Sequence, residues 1–125
     1  MNFSFAKFFE DETPLEVNYP GLESSPYYSL AKKYFNGKGG AIVTIRTGGK
    51  EKAFKLMNNL QIPSIATNIG DTRTLVIHPA STIYIHNTPE QMENAGVYDD
   101  TIRISVGIED IEDLIDDFSQ AIKNI

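Results

Sequence analysis

The run Thr101-Ile102-Arg103-Ile104-Ser105-Val106-Gly107-Ile108-Glu109 decides how this chain folds. Ile102, Ile104 and Val106 alternate with Arg103 and Ser105, which predicts a β-strand with one apolar and one polar face. Gly107 breaks the alternation, and the period then changes. Ile108, Ile111, Leu114, Ile115, Phe118, Ala121, Ile122 and Ile125 recur at spacings of three and four, the stripe of a helix packed on a core. Glu109 and Asp110 precede this helix, and Glu112, Asp113, Asp116 and Asp117 fall in its first turns. Acidic groups at a helix N-terminus contribute about 0.3–1 kcal/mol each, so the cluster reads as dipole matching on a solvated face.

Working outward, residues 2–11 read as a short helix with Phe5, Phe8 and Phe9 on one side. Leu15-Glu16-Val17-Asn18 reads as a strand, closed by the turn Tyr19-Pro20-Gly21-Leu22. Ser24-Ser25-Pro26 predicts a helix start, with serine as cap and proline in the first turn, running to Phe35 and stopping at Gly37. Ala41–Ile45 is a β-branched strand, and Ala53, Phe54, Leu56, Met57 and Leu60 mark another amphipathic helix. Two short strands follow near residues 64–67 and 74–77, and Ile83 and Ile85 alternate with Tyr84 and His86 as a weak further strand. Thr88-Pro89-Glu90-Gln91 predicts a capped helix ending at Gly96. The order predicts an α+β fold: a two-layer sandwich with a mostly antiparallel sheet of about four to five strands and helices on one face. Residues 1–125 form a single domain in this reading, without repeats or linkers.

Composition narrows the function. The chain has no cysteine, which removes disulfides and thiolate chemistry, and no apolar run approaches a membrane span. No charged-then-apolar leader opens it, so a cytoplasmic protein is expected. Its formal charge is −6; residues 1–60 carry 8 basic and 6 acidic side chains, whereas residues 61–125 carry 3 and 11. An acidic chain without a basic stripe is a poor partner for phosphate backbones, which argues against nucleic acid.

Several motifs fail on spacing. Gly48-Gly49-Lys50 resembles a phosphate loop, but Thr44 stands where the earlier glycine is needed and Glu51 follows the lysine. His78 and His86 lack the partners of a metal site, and His78 before Pro79 suits a cap or a core hydrogen bond. No Gly-x-Ser-x-Gly elbow occurs. Arg103 is the residue that invites function. In mid-strand, on the face opposite two isoleucines, its guanidinium must reach water or meet an anion, and a carboxylate suits its planar fork.

Four segments carry a resemblance: Val17–Ser24, Gly39-Gly40-Ala41-Ile42, Gly70-Asp71-Thr72-Arg73-Thr74-Leu75-Val76-Ile77-His78-Pro79-Ala80-Ser81, and Ala95-Gly96-Val97 leading into Ile102–Glu109. In that order the chain resembles the C-terminal domain of the Cys/Met-metabolism pyridoxal-phosphate enzymes of fold type I, most similar to the O-acetylhomoserine sulfhydrylase branch. The resemblance implies that Arg103 grips the substrate α-carboxylate and that Thr74 contributes to the same pocket, often through its backbone. It implies pyridoxal phosphate and O-acetylhomoserine for a parent enzyme, with an N-terminal cofactor domain as partner. The family's Schiff-base lysine lies in a Ser-x-Thr-Lys-like context that none of Lys7, Lys32, Lys33, Lys38, Lys50, Lys52, Lys55 or Lys123 has. The expectation is therefore a chain that binds no cofactor and does not catalyse alone. A cystathionine γ-synthase or γ-lyase parent, and a free-standing amino-acid-binding module, are the other readings. The chain departs from the family at Thr82-Ile83-Tyr84, where members read Thr-Thr-His with unchanged spacing from His78 to Gly96.

Overall fold

A computed structural model of the chain describes residues 2–125. Its elements are α1 (Asn2–Glu12), β1 (Glu16–Asn18), α2 (Tyr28–Phe35), β2 (Ile42–Arg46), α3 (Lys50–Asn59), β3 (Ser64–Ile65), β4 (Leu75–Ile77), α4 (Pro89–Asn94), β5 (Thr101–Ser105) and α5 (Ile111–Lys123), with one 3-10 turn at Pro79–Ser81. The strands form one sheet in the order β1-β2-β5-β4-β3. All neighbours are antiparallel except β3 and β4, so the sheet is mixed and mostly antiparallel, as expected of an α+β fold.

The strand singled out by its alternation lies in the middle of the sheet. Ile104 pairs with Val43 on one side and Val76 on the other, and Ile102 pairs with Ile45. These residues are buried, and α1, α3 and α5 close over them with Phe5, Phe9, Leu56, Leu114 and Phe118, each 0% exposed. Phe5, Phe9 and Phe118 meet edge-to-face at centroid distances of 4.9, 5.1 and 5.5 Å, which locks the first helix to the last. Such aromatic pairs contribute about 0.5–1.5 kcal/mol each beyond their buried area. The opposite face is only partly open: Ile42, Thr44 and Arg103 are half-buried there, whereas Leu75, Ile77, Thr101 and Ser105 on the same face are buried.

The resemblance segments at residues 17–24 and 39–42 meet in space. The Tyr19 hydroxyl donates to the Gly40 carbonyl at 2.8 Å, and its ring packs against Gly39. A Cβ at Gly39 would stand 2.6 Å from that ring and 2.7 Å from the Gly21 nitrogen, so the glycine is required by close approach.

Three local expectations are corrected. Helix α2 begins at Tyr28, one turn later than the Ser24-Ser25-Pro26 start, because Ser25 caps a separate turn that leads into the helix, its carbonyl accepting the Tyr28 N–H. Ser25 Oγ accepts the Tyr27 N–H, and Ser24 donates to Glu10. Residues 83–86 form turns and no strand: Ile83 and Ile85 are 48% and 60% exposed, with no face to bury. The acidic run also does more than solvate α5. Asp110 caps the helix as anticipated, accepting Glu112 N–H at 2.9 Å and Asp113 N–H at 3.3 Å. Asp117, however, is 7% exposed and accepts the N–H groups of Gln61 and Ile62, tying α5 to the loop after α3. No helix among the described residues is long and apolar enough to cross a membrane.

Candidate carboxylate site on the central strand

Each arginine of the chain has a different environment. Arg46 Nε donates to Asp100 Oδ1 at 3.0 Å, its Nη1 lies 3.6 Å from Glu16, and the guanidinium stacks 4.0 Å above the Tyr98 ring. Asp100 accepts the Gly48 N–H as well; burial works to raise its pKa, but that N–H and Arg46 hold it below the usual carboxylate range. Arg46 is thus neutralised and structural. Arg73 Nη2 donates to Ser64 Oγ at 2.6 Å. Arg103 makes no ion pair among the described residues.

Arg103 sits in β5 between Thr44 of β2 and Ile77 of β4, so the middle of the sheet fixes its Cα. Its Nη2 donates to the Thr67 carbonyl at 2.8 Å, while its Nε is shielded and has no acceptor among the described residues. A buried donor left unpaired costs about 1–3 kcal/mol, so the Nε is a hydrogen-bonding demand that the described residues leave unmet. A neutral carbonyl orients the guanidinium without quenching its charge, and the planar fork then suits a carboxylate.

Thr74 is fully buried and its polar atoms are all engaged. Its N–H donates to Glu109 Oε2 at 2.8 Å and its hydroxyl to Glu109 Oε1 at 2.6 Å, and that hydroxyl accepts the Gly107 N–H at 2.9 Å. Its carbonyl accepts the Ser64 N–H. Burial acts to raise the Glu109 pKa, but the two bonds from Thr74 outweigh it and hold the carboxyl below its ordinary value. No hydrogen bond among the described residues joins Thr74 to Arg103. The threonine instead ties the segment after β5 to the segment before β4. Gly107 is part of the same knot: a Cβ there would lie 2.4 Å from the Thr72 carbonyl oxygen and 2.6 Å from the Thr74 nitrogen.

The residues nearest the guanidinium were not legible in advance. The loop from Thr67 to Gly70 reaches over the polar face of β5, touching Arg103 through Thr67 and Ser105 through Gly70. Its only sequence signal is the pair Gly70-Asp71, which marks a turn without saying what it covers. His78 takes the core role expected of it. Its Nε2 donates to the Asp99 carbonyl, which leaves Nδ1 to accept the Ser81 hydroxyl at 2.7 Å. No group of three or more potential metal ligands occurs among the described residues.

The fold is an α+β domain whose mostly antiparallel five-stranded sheet carries, on its central strand, an arginine without an ion-pair partner among the described residues. This chain belongs to the Cys/Met metabolism PLP-dependent enzymes, whose family model matches residues 2–123. It is 46% identical over 107 residues to O-acetyl-L-homoserine sulfhydrylase 1 of Thermus thermophilus, covering 85% of this chain and 25% of that protein. It is 44% identical over 110 residues to an L-methionine gamma-lyase of Fusobacterium nucleatum, covering 88% of this chain and 28% of that protein. Cystathionine gamma-lyase from yeast superimposes with a TM-score of 0.90 at 36% identity, over 98% of this chain and 32% of its own. The chain therefore spans between a quarter and a third of the length of these relatives.

The family's cofactor requires a lysine and a phosphate cradle. All eight lysines of this chain are exposed, and the glycines at 39 and 107 are occupied by Tyr19 and by the 72–74 backbone. Among the described residues these lysines and glycines do not form a pyridoxal-phosphate site.

Proposed function

We propose that residues 1–125 are the C-terminal, substrate-carboxylate-binding domain of a pyridoxal-phosphate-dependent O-acetylhomoserine sulfhydrylase of cytoplasmic methionine biosynthesis. Arg103 holds the α-carboxylate of O-acetylhomoserine and fixes which way the amino acid lies. Thr74 contributes by fixing Gly107 and Glu109 beside the end of β5, and not by touching the ligand through its own donors. The cofactor, with the electron-withdrawing chemistry it supplies, is held by an N-terminal domain outside this chain, and the 125 residues alone are inactive.

The single observation that carries this reading is the Arg103 guanidinium, oriented by the Thr67 carbonyl and without an ion-pair partner among the described residues. The names of the relatives support the reaction class. Their near-equal identities, 46% to a sulfhydrylase and 44% to a γ-lyase, keep a γ-lyase or γ-synthase parent as the second reading.

NMR titration of the chain with O-acetyl-L-homoserine tests the carboxylate role. Arg103→Ala should weaken binding by about tenfold or more, the value of one charge-assisted contact. Equal binding by the wild type and Arg103→Ala would refute that role. Pyridoxal phosphate with borohydride should leave no stoichiometric adduct, and a full-occupancy adduct on one lysine would overturn the assignment of the cofactor elsewhere.

A further inference from the structure

Arg103 and Ser105 stand two residues apart on β5, hence on the same face of the sheet. Both hold one loop. The Thr67 carbonyl accepts Arg103 Nη2 at 2.8 Å, and the Gly70 N–H donates to Ser105 Oγ at 3.1 Å. The loop's remaining anchor is the Ala66 N–H on the Val76 carbonyl at 3.1 Å, which continues the β3–β4 ladder. Between these anchors Thr67, Asn68 and Ile69 are exposed, Ile69 by 61%. Ser105 is only 2% exposed, so its hydroxyl is packed against the sheet beneath a loop whose residues 67–69 are exposed. Gly70 adopts φ +81, a left-handed conformation that side-chain-bearing residues rarely take, where the loop turns back toward the strand.

We propose that Ser105 is a positioning residue: by holding Gly70 it keeps the Thr67 carbonyl on Arg103 and so sets the direction in which the guanidinium meets a carboxylate. The inference rests on the carboxylate-binding reading of Arg103. An arginine side chain has many rotamers, and ordering it during binding would cost affinity. A neutral acceptor supplied by a pinned loop orders it beforehand while leaving its charge for the ligand. Ser105 makes that arrangement possible by fixing the loop three residues away from the acceptor.

Arginine-selective NMR on the full chain tests this, with the Arg103 Nε–H signal identified by its loss in Arg103→Lys. Ser105→Ala should shift and broaden that signal, leave those of Arg46 and Arg73 in place, and weaken O-acetyl-L-homoserine binding by about threefold to tenfold, the value of one hydrogen bond. Ser105→Thr keeps the acceptor and should restore both. An unchanged Arg103 signal in Ser105→Ala, with only the Gly70 amide moving, would overturn the inference. Should Ser105→Ala fail to fold, Ser105→Cys keeps the volume with a weaker acceptor, and the same signal decides. Failure of the parent reading looks different. Binding indifferent to Arg103→Ala, with the Arg103 signal still responding at Ser105, would refute the carboxylate role and uphold the serine's hold on the guanidinium.

Discussion

Replacing Thr74 by valine removes one oxygen from a buried site and nearly preserves its volume. Two bonds are lost. The Gly107 N–H is left without its acceptor, at about 1–3 kcal/mol, and Glu109 Oε1 loses a charge-assisted donor, at about 1.5–3 kcal/mol. Glu109 is only part-buried and can turn toward water, which discounts the second contribution, so the net loss is about 3 kcal/mol. For a chain of 125 residues the unfolding entropy is about 0.26 kcal/mol/K, and a loss of that size lowers Tm by about 11 °C. Urea and thermal unfolding followed by circular dichroism measure both quantities. A second signature identifies the partner. The depressed pKa of Glu109 adds stability that is complete above its unfolded-state value and is lost as pH falls through its lower folded-state value. Stability plotted against pH should therefore drop on the acid side in the wild type, and less steeply in Glu109→Gln and Thr74→Val. A Thr74→Val loss below about 0.5 kcal/mol, or three superimposable acid limbs, would refute the account of Thr74 as a knot in the fold.

Two further outcomes follow from the same geometry. Gly107→Ala drives a methyl into the 72–74 backbone and should cost about 2–4 kcal/mol, read by urea midpoint; a wild-type midpoint would contradict the close approach. Asp117→Ala strands the Gln61 and Ile62 N–H groups and should cost about 2–4 kcal/mol, with faster hydrogen exchange in the loop after α3 and little change at β1.

Alternation and periodicity already contain the central strand, the closing helix and the α+β class, because burial of one face acts on every second or every third-to-fourth residue. Arg103 was legible as a cation on the polar face for the same reason. The chemistry around it was not, since the Thr67 carbonyl and the Gly70 amide are backbone groups common to any sequence. Ser25 caps the turn ahead of α2 as its sequence context suggests, but Ser24 does not, because Glu10 takes its hydroxyl. Asp117 looks like its solvated neighbours in the acidic run, and only the packing of α5 against the loop after α3 makes it an internal acceptor. Local rules thus determined which faces are apolar and where the charged fork sits. Tertiary structure decided which polar groups are satisfied and that, among the buried side-chain atoms of the described residues, the Arg103 Nε is left without a partner, because hydrogen-bond partners in a folded chain are chosen by distance in space and not by order in the sequence.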